Sequence, residues 1–297
     1  MIRLHGVNRT FGDVTALRNL SLDIPEGELF GLVGPDGAGK TTALRILAGV
    51  SLPDSGDASI GENGDAPLGY MPQRFSLYED FTVMENLRFF GSIWGLSGGE
   101  LAHRAETLLE RTGLLRFKDR LTEHLSGGMK QKLALSAALL HRPRVLLLDE
   151  PGTGVDPVSR REFWRILYQL HGDGLTILIT TPYMDEAQLC QRVGFIHKGA
   201  LIALGTPAEL RAQYPFHVLV ISGPPGELHP LAPLIRKLDI GDVTPFGDTL
   251  HAAVKEATNA KDLIRRLLGD RSAKFVIEEA TPSLEDVFVQ LAPGGTS

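Results

Sequence analysis

The sequence predicts an α/β fold: a parallel-stranded core around a phosphate-binding loop, with an antiparallel β edge, a helical insert and a small α+β module at its C-terminal end. Three observations carry this. Gly34-Pro35-Asp36-Gly37-Ala38-Gly39-Lys40-Thr41-Thr42 fits G-x-x-x-x-G-K-[ST], and it sits between a strand-like run, Leu29 to Val33, and a helical run, Thr42 to Ala48. Val145 to Leu148 are apolar without a break and lead into Asp149-Glu150, the pattern of a buried parallel strand that delivers acids at its carboxyl end. Beyond Pro215 the runs read strand, helix, strand, strand, helix, strand.

Composition narrows the classes of function. Of 297 residues, 43% are hydrophobic and 22% charged, a soluble globular balance long enough for one large domain or two ordinary ones. The 30 basic against 36 acidic residues give a net charge of −6, and no basic run marks a nucleic-acid footprint. Cys190 is the only cysteine, so an intrachain disulfide or multi-cysteine zinc site is excluded, which suits a reducing cytoplasm. Met1 leads straight into strand-like Ile2 to Val7 with no signal segment, and no apolar run approaches the ~20 residues that span a bilayer. Work at a membrane would need spans supplied by another chain.

In chain order, Ile2 to Ile24 alternates loosely, with turns at Gly12-Asp13 and Pro25-Glu26-Gly27, and reads as short antiparallel strands. Phe11 between them either covers a core edge or stacks on a nucleotide base. Pro53 to Gly56 reads as a turn, and Leu68 to Met71 as a short strand ending just before Gln73. Val83, Leu87 and Phe90, then Leu101, Leu108 and Leu109, recur at helical spacing, which predicts a helical subdomain over about residues 76–141. Within it Leu125-Ser126-Gly127-Gly128 opens a helix from about Met129 to Leu140, whose first N–H groups can meet an anion. Taken alone, that tetrapeptide is a common helix entry.

Gly154-Val155-Asp156-Pro157 turns into a helix reaching His171, and Leu175 to Thr181 is a β-branched strand stopped by Pro182. Met184 to Cys190 reads as a helix, and Val193 to His197 and Leu201 to Leu204 as strands around Lys198-Gly199. Thr206-Pro207-Ala208-Glu209 is a capping box opening the helix that closes the first domain. We therefore expect a nucleotide-binding domain over 1–214 and an accessory domain over 215–297. The latter matches a ferredoxin-like module, ends in a helix from Leu284 to Leu291, and carries no ligand-type cluster, as a packing or regulatory appendage would.

The order and spacing of these motifs are more specific than any one of them. Phosphate loop, Gln73, Ser126 to Gly128, Asp149-Glu150, Asp156 and Thr180-Thr181 together resemble the ATP-binding cassette of ABC transporters, over about residues 2–213. The phrases Gly31 to Thr42, Tyr70 to Asn86 and Leu125 to Leu133, with Thr281-Pro282-Ser283-Leu284-Glu285-Asp286-Val287-Phe288, resemble drug-resistance and YbhF-type exporters, in particular the first of two cassettes. The resemblance implies ATP and Mg²⁺ as ligands, a membrane permease and a second cassette as partners, and a place on the inner face of the cell membrane. It assigns phosphate contacts to residues 34–42, Mg²⁺ to Thr41, Gln73 and Asp149, and the general base to Glu150. Phe11 matches the position that stacks on adenine. Ser126, Gly127, Gly128 and Asp156 would serve the nucleotide bound by the opposite cassette.

Two positions depart from the family pattern. Met129 stands in place of Gln, as it does within the drug-exporter branch. Pro182 replaces the histidine expected after Thr180-Thr181, and proline has neither a side-chain donor nor an N–H to offer the γ-phosphate. Its own ATP site is therefore expected to be slow, unless neighbours such as Thr181 compensate. Two alternatives follow: a regulatory cassette that binds ATP without hydrolysing it, and a soluble ABC ATPase of DNA repair or translation. The second fits poorly, since one motif set is present and the stretch from Gln73 to Ser126 leaves no room for a long coiled-coil insertion.

Overall fold

A computed structural model describes residues 1–61, 66–74, 77–224 and 226–292. The expected start of the helical subdomain, at about residue 76, lies outside the described residues. Two compact units result, Met1–Thr206 and Pro207–Ser297.

The first unit runs β1 (Ile2–Phe11), β2 (Val14–Ile24), β3 (Leu29–Val33), α1 (Lys40–Leu47), β4 (Ser55–Ile60) and β5 (Leu68–Met71). Helices α2 (Val83–Ile93), α3 (Gly98–Arg111) and α4 (Gly127–Leu139) follow, then β6 (Val145–Asp149), α5 (Pro157–Gly172), β7 (Thr176–Thr181), the single turn α6 (Met184–Ala187), β8 (Arg192–His197) and β9 (Ala200–Gly205). Strands β3, β6 and β7 are buried at every position, as unbroken apolar or β-branched runs should be when a parallel sheet is covered on both faces. They belong to a six-stranded sheet of order β5-β6-β7-β3-β8-β9, parallel throughout except for β9 at its edge. The expected antiparallel edge is a separate sheet, β2-β1-β4.

Strand β4 begins inside the stretch that reads as a turn. Its sequence, Ser-Gly-Asp-Ala-Ser-Ile, has no apolar alternation of its own, and pairing with β1 makes it a strand. Helix α6 also ends three residues short of the expected Cys190. Between the two sheets Phe30, Leu32, Leu44, Leu147, Leu178 and Ile196 build one core, while α2, α3 and α4 enclose another around Leu87, Leu109 and Leu133. Thr82 and Glu85 close a capping box at the start of α2.

The strand order has a direct consequence for function. Four neighbours, β5, β6, β7 and β3, end on the same side and lead in turn to Gln73, Asp149-Glu150, Thr181-Pro182 and the loop from Gly34. Register sets Asp149 beside Thr180 and Val33 beside Thr181.

In the second unit α7 (Pro207–Ala212) precedes β10 (His217–Ser222), α8 (Ala232–Arg236), β11 (Gly241–Phe246), β12 (Thr249–Val254), α9 (Ala257–Leu268), β13 (Val276–Ala280) and α10 (Leu284–Leu291). Its antiparallel sheet has the order β11-β12-β10-β13, the ferredoxin-like arrangement, with Leu219, Ile235, Val243 and Ile264 in its core. Helix α7 packs on α10 and groups with this unit, whereas the sequence reading put it in the first domain. A capping box marks where a helix starts and says nothing of which core it joins.

Leu147 is fully buried on β6. Leu147→Ala is expected to lower stability by about 2–5 kcal/mol in urea denaturation, because the close-packed sheet cannot collapse into the space left. A loss well below ~1 kcal/mol would contradict a doubly covered strand.

Candidate functional site

The loop between β3 and α1 takes its shape from steric limits. Gly39 has φ 107°, and a Cβ there would lie 2.4 Å from the Ala16 carbonyl oxygen, so no other residue fits without moving the backbone. Pro35, Asp36 and Gly37 form the exposed crest, while Gly34 and Ala38 are buried beneath it. Lys40 opens α1. The motif suggests an exposed lysine, yet its side chain is only 3% accessible. Its ammonium donates to Gly34 O at 2.6 Å and Pro35 O at 3.0 Å, and pairs with Glu150 Oε1 at 3.0 Å. Thr41 donates to Asp149 Oδ1 at 3.0 Å, and Thr42 is half-buried beside it.

The two carboxylates occupy different environments although they are adjacent in sequence. Asp149, the last residue of β6, is 1% exposed and also accepts from the Thr180 hydroxyl at 2.9 Å. Burial pushes its carboxyl up, and the Thr180 and Thr41 hydroxyls pull it part of the way back. Its second oxygen, Oδ2, is buried with no hydrogen-bond partner. Such an acceptor is costly unless something binds it. Glu150 leaves the strand with φ 48°, a left-handed backbone that is strained for glutamate. Thr180 holds it there, its carbonyl and hydroxyl oxygens accepting from Glu150 N at 3.1 and 3.0 Å. Besides Lys40, the Glu150 carboxylate accepts from Gln73 Nε2 at 3.0 Å and Thr153 Oγ1 at 3.4 Å.

The structure thus brings Lys40, Thr41, Gln73, Asp149 and Glu150 into one hydrogen-bonded group at the carboxyl ends of the sheet. Ser126 and Asp156 have local partners instead. Ser126 caps α4 by accepting from Met129 N, and Asp156 caps α5 by accepting from Val158 N and Ser159 N. Gly127 is exposed; Gly128 packs against α5 so closely that a Cβ would meet Ser159 at 2.5 Å. Phe11, 49% exposed at the hairpin end of β1, lies under the Arg9 guanidinium at 4.7 Å. Pro182 directly follows β7, and the neighbouring Thr181 hydroxyl is already engaged, donating to Glu186 Oε2 at 2.6 Å and accepting from Tyr183 N at 3.1 Å.

Sequence reasoning placed Thr180 in the motif order without giving its hydroxyl a role, and missed Thr153. Both look like ordinary strand and turn residues, and only the pairing of β6 with β7 and the turn after Glu150 turn their hydroxyls onto the carboxylates.

Comparison with known proteins agrees with this geometry. Residues 17–153 match the family described as ABC transporter, and residues 205–292 match the C-terminal domain of DrrA1-3-like ATP-binding proteins. The chain is 40% identical over 309 residues to the probable multidrug ABC transporter ATP-binding protein YbhF of Escherichia coli (strain K12); the match takes in all of this chain but spans only 53% of YbhF. It is 34% identical to the linearmycin resistance ATP-binding protein LnrL of Bacillus subtilis (strain 168), over 98% of both chains. Among solved structures, a dimeric post-hydrolysis state of the ATP-binding cassette MJ0796 bound to ADP and Pi matches 69% of this chain and 98% of its own, with TM-score 0.62 and 27% identity. A phosphate loop joined to paired carboxylates at the ends of a parallel sheet, together with near full-length likeness to LnrL, places the chain in the family of ABC transporter ATP-binding proteins.

Proposed function

We propose that this chain is the ATP-hydrolysing subunit of an ABC exporter and that it energises membrane-spanning partners from the inner face of the membrane. The observation that carries the reading is the bonded group of Lys40, Thr41, Gln73, Asp149 and Glu150. In-line attack on a γ-phosphate needs neutralised charge, a placed water and an acceptor for its proton. Lys40 turns from the Gly34 and Pro35 carbonyls to the phosphates, which frees Glu150 to polarise water while Gln73 and Thr153 hold its second oxygen. Residues 36–42 offer backbone N–H groups at the start of α1. The donors fit Mg²⁺, since Asp149 Oδ2 is unpaired and the Thr41 hydroxyl sits on the same carboxylate at Oδ1, an all-oxygen set suited to a hard cation. When bound, the ion would neutralise charge on the β and γ phosphates. Thr41, Asp149 and Gln73 would hold it.

Phe11 is exposed enough to stack on adenine. Ser126 with Gly127 and Gly128, and Asp156, sit at helix starts where they can meet the nucleotide of a second cassette, identical or paralogous; the similar MJ0796 cassette is dimeric. The permease would dock on a groove of about 540 Å³ lined by Val50, Tyr70, Met71, Leu77, Phe90 and Trp94, close to Gln73. Val50 and Trp94 are 66% and 54% exposed, more than a groove with no partner would favour. No helix among the described residues is long and apolar enough to cross a membrane.

One observation favours slow turnover at this chain's own site. Pro182 has no donor, and Thr181 cannot stand in for histidine while its hydroxyl is bound to Glu186 and Tyr183 N. Losing one transition-state contact typically costs ~10²–10³ in rate. A regulatory cassette that binds ATP without turnover is the second reading.

Three measurements test the proposal. Lys40→Ala is expected to weaken binding of a fluorescent ATP analogue by about 10²-fold or more, since charged hydrogen bonds to the phosphates are lost; unchanged affinity would remove the phosphate loop from the mechanism. Glu150→Gln with saturating ATP should give a stable cassette dimer by light scattering, and a monomer with bound ATP would count against the head-to-tail pair. Pro182→His should raise ATP turnover of the isolated chain, by ~10-fold or more if the histidine regains part of the lost contact. A histidine-bearing partner cassette should raise it further, in a manner abolished by Ser126→Arg. An isolated wild-type chain already turning over at the rate of Pro182→His would dismiss the slow-site reading.

A further inference from the structure

The mechanism above leaves one buried carboxylate without a role. Glu186, on α6, is 2% exposed. Its Oε2 accepts from the Thr181 hydroxyl at 2.6 Å. Oε1 is buried with no hydrogen bond of normal geometry; Arg160 Nε pairs with it at 3.6 Å, and the Trp164 indole, on α5, also faces the carboxylate. Burial pushes the carboxyl up, and Thr181, then Arg160, pull it back. An apolar side chain would fill this space without desolvating a charge, so a contact specific to the carboxylate should account for its presence.

The contact lies on both sides of Glu150. A Cβ built on Gly152 would fall 2.2 Å from Glu186 Oε1, so the backbone two residues after Glu150 rests directly on this oxygen. Gly152 leads to Thr153, whose hydroxyl bonds the Glu150 carboxylate. The other oxygen holds Thr181, whose carbonyl accepts from Gly34 N at 3.3 Å and whose neighbour Thr180 fixes the Glu150 backbone. Arg160, on α5, stacks its guanidinium 4.8 Å from the Tyr183 ring and reaches Asp185 at 3.7 Å, so the segment after Pro182 is clamped from below as well.

We infer that Glu186 is a positioning residue for hydrolysis: one carboxylate braces the Gly152 turn and the end of β7 at once, and so holds Glu150 and the phosphate loop in mutual register. This rests on the reading of Glu150 as the group that polarises water. With proline at position 182 no histidine side chain shares that task, which leaves the bracing to Glu186 and the backbone.

Single-turnover hydrolysis of ATP by the full chain, with affinity for a fluorescent ATP analogue and the thermal midpoint measured alongside, tests the inference. Glu186→Ala is expected to slow hydrolysis by about 10²-fold, the cost of a small misplacement, with ATP affinity within ~3-fold of wild type. Glu186→Gln retains an acceptor for Thr181 and a similar volume, and should restore most of the rate. Gly152→Ala presses on the same oxygen from the other side and should also be slow. The double variant Gly152→Ala/Glu186→Ala should be no slower than the worse single one, because neighbours that share one contact do not add. Wild-type rates in Glu186→Ala and Gly152→Ala would overturn the inference; so would a multiplicative double variant, or a loss of rate that only follows lost ATP affinity and a lower thermal midpoint. Should Glu186→Ala fail to fold, Gly152→Ala still decides, since a wild-type rate there would overturn the inference. Glu150→Gln serves as the separate check: if it hydrolyses like wild type, the reading of the site fails, whatever the Glu186 variants do.

Discussion

The parallel pairing of β5, β6, β7 and β3 is the constraint on which the rest of the first unit depends. Parallel strands all release their chains on one side, so four segments remote in sequence emerge as neighbours there. Because β6 is in register with β7, Thr180 stands beside Asp149 and can hold the Glu150 backbone in its left-handed turn. Because β7 is in register with β3, Thr181 stands beside Val33 and receives the N–H of Gly34. A slip by one residue in either pairing would turn these hydroxyls into the core and separate the carboxylates from Lys40.

The ion pair of Lys40 with Glu150 follows from this geometry and has a functional side. Both groups are nearly inaccessible to water, where a pair gains little net stability over apolar residues of the same volume. Its arrangement is better understood as readiness: the lysine rests on carbonyls of its own loop, and a phosphate competes for all of its donors at once. Pro182 sits one residue beyond this group. Its effect is local, since it removes a donor from the site while the backbone on either side stays bonded through Thr181 and Tyr183. The reading proposed for this site makes binding and turnover separable in this chain, with Pro182 bearing only on the second.

The C-terminal unit explains a phrase that the mechanism does not use. In Thr281-Pro282-Ser283-Leu284-Glu285-Asp286-Val287-Phe288, Ser283 and Asp286 close a capping box at the start of α10, and Asp286 also takes the His251 ring at 2.9 Å from β12. Those hydrogen bonds to Ser283 and His251 outweigh the effect of burial and keep the Asp286 carboxyl below its usual range. His251 in turn stacks on Phe246 at 4.3 Å. The phrase is thus a device for fastening the last helix to its own sheet, which gives the module the interior that its small size makes hard to build.

Sequence alone determined the elements whose information is local. The phosphate loop, the apolar run into Asp149-Glu150, the helical spacing from Val83, the helix entry at Leu125 to Gly128 and the βαββαβ order of the C-terminal unit are all set by residues within a few positions of one another, so spacing was enough to read them, although the helix after Ser126 begins at Gly127 rather than at about Met129. Gln73 and Pro182 were legible only through their resemblance to a family pattern, since neither has a local signature. What tertiary structure decided is where those pieces meet. Strand β4 exists because β1 pairs with it, α7 joins the second unit because α10 covers it, and Lys40 is buried because Glu150 comes back to it from a strand more than a hundred residues away. Thr180, Thr153 and Glu186 belong to the same class: their chemistry is common and their spacing uninformative, and they matter only because the strand order of a parallel sheet sets non-local neighbours that no window of sequence contains.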